Sequence, residues 1–236
     1  VPKPNDLAVA QTTRVYYDDG KTEIGRIGEA NRTSVTLDRI SPEMQAAILA
    51  AEDRGYYSHG GFDPKGLLRA TWNNLTGGTT QGASTITQQY AKNAYLSQEQ
   101  SFERKFKELV LSVKLETQAS KDDILANYLN AIYYGRGAYG IQAASQAYFG
   151  KTAAKLDAAE AAYLAAIIRA PSFYASKKGQ DELEGRWDYV VAGMVQTGAL
   201  TQAQADALVF PTPLPWSGAY NYYKGTNGYL LESAKE

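Results

Sequence analysis

SPEMQAAILAAEDRGYYSHGG, residues 41–61, is the stretch on which the fold turns. Ser41 supplies a side-chain cap, Pro42 suits the first helical position and Glu43 sets an acid in the first turn. A helix is therefore expected to run through AAILAAED and to stop at Gly55. It carries Glu52 into its last turn, where the negative end of the helix dipole slightly opposes ionisation and a structural helix would avoid an acid. Glu52, Asp53 and Arg54, followed by the single histidine of the chain, His59, mark this end as a candidate active site.

Upstream, TTRVYYDDGKTEIGRI (residues 12–27) places an Asp-Gly turn between two β-favouring runs, which reads as a short hairpin outside the main body. Downstream, GLLRATWNNLTGGTTQGAS brings Leu67, Leu68, Trp72 and Leu75 round at helical spacing before a glycine-rich loop. These side chains face either the core or a membrane surface, because the stretch is too short to span a bilayer. From residue 84 onward helices dominate. Ser101 can cap SFERKFKELVLSVKLE, and Ser120 with Asp123 and Asp157 with Glu160 form capping-box pairs before apolar runs. Gly135 and Pro171 are expected to end two helices, and the alanines of AAEAAYLAA and IQAASQA allow close helix approach. The body should be compact and mainly α. Residues 211–236, rich in Pro, Gly and Tyr, read as a linker.

The 236 residues suffice for one large domain or a core with a smaller lobe. Lys+Arg 24 against Asp+Glu 25 gives a net charge of -1, so no global field attracts nucleic acid and any anion site must be local. The absence of cysteine excludes disulfides and thiolate metal sites. No apolar run of about 18 residues occurs, and VPKPNDLAVAQ lacks the basic start and apolar centre of a signal peptide. The expectation is a soluble or membrane-peripheral chain.

Two further stretches carry chemistry. In GASTITQQYAKN (82–93), Gly82 frees the backbone before Ser84 and Thr85, so the next helix can aim unpaired N–H groups and hydroxyls at an anion. Thr85, Gln88, Gln89 and Lys92 recur at three-and-four spacing, a stripe suited to sugar hydroxyls and a phosphate; a solvated helix face is the alternative. In the helix from Ser101, residues Phe102, Phe106, Leu109, Val110 and Val113 form one apolar face and Leu111 and Leu115 another, so cover on both sides is expected. Arg104, Lys105 and Glu108 lie between, and a carboxylate so placed is costly unless those charges meet each other or a ligand. His59 has no serine or cysteine partner and reads as a loop-holding residue.

Taken in order, EDRGYYSHGGFD, GASTITQQYAKN, RKFKE, ILANYLNAIYYGRGAYG and AAYLAAIIRAPS resemble the peptidoglycan glycosyltransferase domain, glycosyltransferase family 51, of class A penicillin-binding proteins and monofunctional transglycosylases. The resemblance covers residues 35–210. Residues 1–34 then match the N-terminal flank with its hairpin, and 211–236 the linker toward a C-terminal domain. It implies a mainly α, lysozyme-like head lobe with a small membrane-associated jaw at about 64–82, which Leu67, Leu68 and Trp72 would press into lipid. It further implies polymerisation of lipid II onto a growing glycan strand at the outer face of the bacterial cytoplasmic membrane, and binding of phosphoglycolipid inhibitors of the moenomycin type, with no nucleic acid. By resemblance Glu52 is the catalytic base, already ionised at neutral pH, and Glu108 the second functional acid, acting on the donor diphosphate directly or through a divalent cation, Mg or Mn. Ser84, Gln89, Lys92, Arg104 and Lys105 would bind substrate; Asp53, Arg54, His59 and Asn130 would support the cleft. Gln100 stands where many members carry a phosphate-contacting arginine, which suggests weaker anion binding in the donor site, and Ala126 stands where they carry a glutamate, which removes a supporting carboxylate and suggests low or conditional activity. A lysozyme-like lytic enzyme and a non-catalytic module binding lipid-linked saccharide are the competing readings.

Overall fold

The computed structural model describes residues 13–21, 23–27, 31–60, 84–95, 102–174 and 177–215. The jaw segment, with Leu67, Leu68 and Trp72, lies outside them, as do Gln100, Ser101 and residues 216–236. The described chain is mainly helical. Strands β1 (Thr13–Tyr16) and β2 (Glu23–Ile27) pair antiparallel, and Gly20 N–H closes the turn between them on Tyr17 O at 2.9 Å. Strands β3 (Asn31–Arg32) and β4 (Ala138–Tyr139) form a short parallel pair.

Helix α1 (Pro42–Glu52) begins as its sequence dictates, with Ser41 Oγ accepting from Met44 N–H at 3.1 Å. It ends at Glu52, three residues before the expected stop, because Asp53 leaves the helical conformation while its N–H still reaches Leu49 O. Helices α2 (Ile86–Tyr95), α3 (Phe102–Gln118) and α4 (Lys121–Ala131) pack on one another. After them come α5 (Ile141–Phe149), α6 (Ala158–Ile167), a single turn α7 (Pro171–Tyr174), the long α8 (Lys177–Gln196) and α9 (Gln202–Asp206). Both expected capping boxes are present, at Ser120 and at Asp157. Pro171 does not end α6, which has stopped at Ile167; it opens α7, where its missing N–H costs nothing.

Helix α6 is the centre of the core. Every residue from Glu160 to Ile167 is buried, and α1, α5 and α8 pack around it. Its alanines permit this by keeping the helix thin. Helix α8 meets α1 tightly at Gly193, where a Cβ would stand 2.9 Å from Ala50 O, so the end of α1 that carries Glu52 is seated directly on α8. Gly140 (φ 84) is held by the same logic, since a Cβ there would meet Asn130 O at 2.6 Å.

Helix α3 corrects the expectation of cover on both sides. Its inward stripe is Glu108, Ser112 and Leu115, whereas Phe106, Val110 and Val113 are 65%, 51% and 48% exposed. A polar stripe faces inward because each member is satisfied: Ser112 Oγ donates to Leu109 O, and Glu108 meets two cations.

Candidate active site

Glu52 ends α1 with its side chain 15% exposed. Gln89 of α2 donates from Nε2 to Glu52 Oε2 at 2.8 Å, and Tyr128 of α4 donates from its hydroxyl to Gln89 Oε1 at 3.0 Å. Buried Tyr128 is held well above the usual tyrosine value, first by burial and then by the charge of Glu52. It therefore stays a donor, which fixes the amide of Gln89 with its N–H toward the carboxylate. Burial raises the Glu52 carboxyl above its ordinary 4.5, an effect opposed by Gln89 and by the charges of Arg186 and Arg169. The expectation of an untuned glutamate is thus amended, because the residue is taken out of water.

Asp53 and His59 hold the loop after α1. Asp53 Oδ2 accepts from Ile86 N–H, 3.1 Å away at the start of α2, where a helix has free N–H groups and favours an anion. His59 Nε2 lies 2.6 Å from Asp53 Oδ1 and Nδ1 lies 2.6 Å from Gly60 O. A carbonyl and a carboxylate can only accept, so both ring nitrogens carry protons and the ring is cationic. Burial alone would lower its pKa, but Asp53 and the Gly60 carbonyl together raise it above 6.5. Folding thus favours the protonated ring, and its stabilisation is complete below pH 6.5 and is lost as pH rises through the folded value. The Tm deficit of His59→Gln is expected to be largest near pH 5 and to shrink by about pH 9; a deficit that stays constant over this range would show that the ring charge is not involved.

Arg54 and Asn130 act as ties away from the carboxylate. Arg54 donates to Ala50 O at 3.0 Å and to Gln196 Oε1, and lies over the Tyr189 ring. Asn130 donates to Val35 O and Ala126 O and accepts from Val35 N–H at 3.0 Å, binding the segment after β3 to α4.

The second cluster begins just before α2. Lys105 Nζ is 3.2 Å from Ser84 Oγ and 2.6 Å from Glu108 Oε1, while Arg104 Nη1 is 3.3 Å from Glu108 Oε2. Glu108 is 3% exposed and Lys105 53%, so one cation faces solvent with a buried acid beneath it. The expected four-residue stripe of α2 divides. Thr85 and Gln88 are buried and bonded to each other, Thr85 N–H to Gln88 Oε1 and Gln88 N–H to Thr85 Oγ1, both at 3.2 Å. These two close the helix start on each other. Gln89 and the partly exposed Lys92 keep the open side. Ser84 lies two residues before α2 and Gln89 in its first turn, so the Glu52 carboxylate and the Lys105 ammonium are both tied to the start of this helix.

The sequence reading missed Tyr128 as a donor behind Gln89 and missed Arg186, whose Nη2 lies 3.6 Å from Glu52 Oε1. No local pattern marks Arg186: it sits in α8, 135 positions from Ala51, the residue whose carbonyl it also reaches. The arrangement couples one basic carboxylate to a cationic surface suited to an anionic leaving group.

Residues 20–195 match the family model described as Transglycosylase. The chain is 48% identical to Penicillin-binding protein 1A of Mycolicibacterium smegmatis over 98% of its own length and 30% of that protein's. It is 43% identical to Penicillin-binding protein 1A of Escherichia coli over 85% of this chain and 24% of the relative. The crystal structure of Penicillin-Binding Protein 1A from Haemophilus influenzae superposes with a TM-score of 0.52 at 23% identity, over 97% of this chain and 24% of that one, a likeness of fold. The chain spans about 30% of the length of the curated relatives it matches.

Proposed function

The chain belongs to the transglycosylase family, and from that premise we propose that it is a peptidoglycan glycosyltransferase, polymerising lipid II into β-1,4-linked glycan strands. The observation that carries the reading is the single helix start shared by the two clusters: Gln89 holds Glu52 and Ser84 touches Lys105. Glu52 takes the proton from the 4-hydroxyl of the acceptor sugar. The oxygen so activated attacks the anomeric carbon of the donor, and the carbon–oxygen bond to undecaprenyl pyrophosphate breaks with inversion. Lys105 and Arg104 supply positive charge to the departing diphosphate, and Glu108 keeps those cations in place beforehand. Lys92, one turn beyond Gln88 on α2, adds a further cation to that wall. Phosphoglycolipid inhibitors of the moenomycin type would occupy the same surface.

A divalent ion is not well matched to these residues. Each oxygen of Glu108 is engaged by a cation, and no three His, Cys, Asp or Glu side chains stand together as ligands among the described residues. Side-chain cations therefore neutralise the leaving group in this reading.

No helix among the described residues is long and apolar enough to cross a membrane. We infer peripheral contact at the outer face of the cytoplasmic membrane through the jaw, with Leu67, Leu68 and Trp72 in the lipid. The exposed Phe106, Val110 and Val113 of α3 offer the bilayer a second apolar surface. The test is a gel assay with lipid II in vesicles, beside incubation with finished peptidoglycan. Polymer from the first and no soluble muropeptides from the second are expected. Muropeptide release without polymer would make the protein a lytic enzyme, and lipid II binding with neither product a binding module.

A further inference from the structure

Among the described residues, identifiable groups from several elements face Glu52. Asp53 follows it in the chain, Gln89 of α2 binds Oε2, and Tyr128 of α4 stands behind Gln89. Arg186 of α8 approaches Oε1, and Arg169, just after α6, adds attraction from further away. The two oxygens are therefore unequal. Oε2 is occupied by a hydrogen bond, whereas Oε1 accepts none among the described residues and meets only the guanidinium, at 3.6 Å. That separation is an ion pair without a hydrogen bond, so the guanidinium attracts charge to Oε1 without filling its lone pairs.

We propose that Arg186 is a positioning residue for the transfer reaction, holding Glu52 ionised with Oε1 free and aimed to receive the acceptor's proton. The inference rests on the base reading of Glu52. Arg186 is itself held from two sides: Nη2 donates to Ala51 O at 3.3 Å, and the guanidinium lies 4.4 Å over the Tyr189 ring. Its Nε is buried with no hydrogen-bond partner among the described residues, a costly state that a purely structural tie would avoid. The proton balance closes locally. The O–H bond of the acceptor breaks, the proton passes to Oε1, and the electron pair left on oxygen forms the new glycosidic bond. The carboxyl, now neutral beside a fixed cation, is then favoured to release that proton to solvent.

Burial by itself raises the Glu52 carboxyl, and Arg186 works against that rise. Removing the cation should thus push the carboxyl higher and move the acid limb of the rate profile to higher pH. For Arg186→Met we expect a displacement of about one pH unit or more, the usual effect of an opposite charge at this range, with most of the rate recovered on the alkaline side. Arg186→Lys should stay close to the wild type. A structural role would instead lower the rate equally at all pH values, and that result, or an unmoved limb in Arg186→Met, overturns the proposal. Should Arg186→Met fail to fold, Tyr189→Leu, which frees the guanidinium, is expected to shift the limb in the same direction by less; no shift there also counts against the idea. A carboxyl 13C titration, assigned by the signal missing in Glu52→Gln, reads the same change without turnover. If Glu52→Gln retains full turnover, the base reading itself fails; if Glu52→Gln is inactive while the Glu52 titration ignores Arg186, only this inference does.

Discussion

Glu52→Gln is expected to lower glycan polymerisation by a factor of about 10²–10⁴, the span usually carried by a general base, while leaving the fold intact. The amide keeps the size and one acceptor of the carboxylate, so Gln89 retains a partner; only the capacity to take a proton is lost. Stability separates this outcome from a structural failure. Burial raises the folded pKa of Glu52 above 4.5, so its protonated form is favoured by folding. The stabilisation it supplies is present below 4.5 and disappears as pH rises through the folded value. At neutral pH the ionised group is a burden on the fold. The Tm of Glu52→Gln at pH 7 should accordingly equal or exceed that of the wild type. Turnover within a few-fold of wild type would remove Glu52 from the chemistry, and a lowered Tm would mean that its charge is part of the framework.

Glu108→Gln should show the opposite pattern, with both stability and turnover lost. Its carboxylate is 3% exposed and meets Lys105 and Arg104 at 2.6 and 3.3 Å. Removing one partner of a buried pair costs about 3–5 kcal/mol; the lower end applies, because Lys105 is 53% exposed and can turn to water. Once released, Lys105 no longer stands fixed over Ser84, and a displacement of about 1 Å at such a group is worth roughly a hundredfold in rate. Thermal melting together with lipid II turnover measures both. If neither changes, the Glu108 cluster is ornamental to fold and reaction, and the diphosphate must be held elsewhere.

Much of the helical frame was legible because its signals are local. Ser41-Pro42-Glu43, Ser120 with Asp123, and Asp157 with Glu160 start helices through bonds spanning three or four residues, and such bonds form wherever the rest of the chain goes. The pairing of Glu108 with Arg104 and Lys105 was legible for the same reason, since one helical turn brings them together. Face assignment was less so. On α3 two apolar faces were expected to be covered; the side with Leu111 and Leu115 packs inward, whereas Phe106, Val110 and Val113 stay exposed. The choice depended on what the cations and Ser112 could satisfy inside, which hydrophobic spacing does not encode. On α2, Thr85 and Gln88 read as ligand groups until their mutual bonds showed them to be a cap.

Sequence alone determined the helical class, the main helix starts, and the two acids with their neighbouring cations, since each follows from groups a few bonds apart along one backbone. Tertiary structure decided which carboxylate oxygen accepts no hydrogen bond among the described residues, that Tyr128 and Gln89 hold the other, and that Arg186 stands opposite, 135 positions from Ala51. The physical reason is range. Caps and turn-spaced pairs depend on local geometry, whereas the charge state of Glu52 depends on how much water the packed helices exclude and on which cation they bring within 3.6 Å.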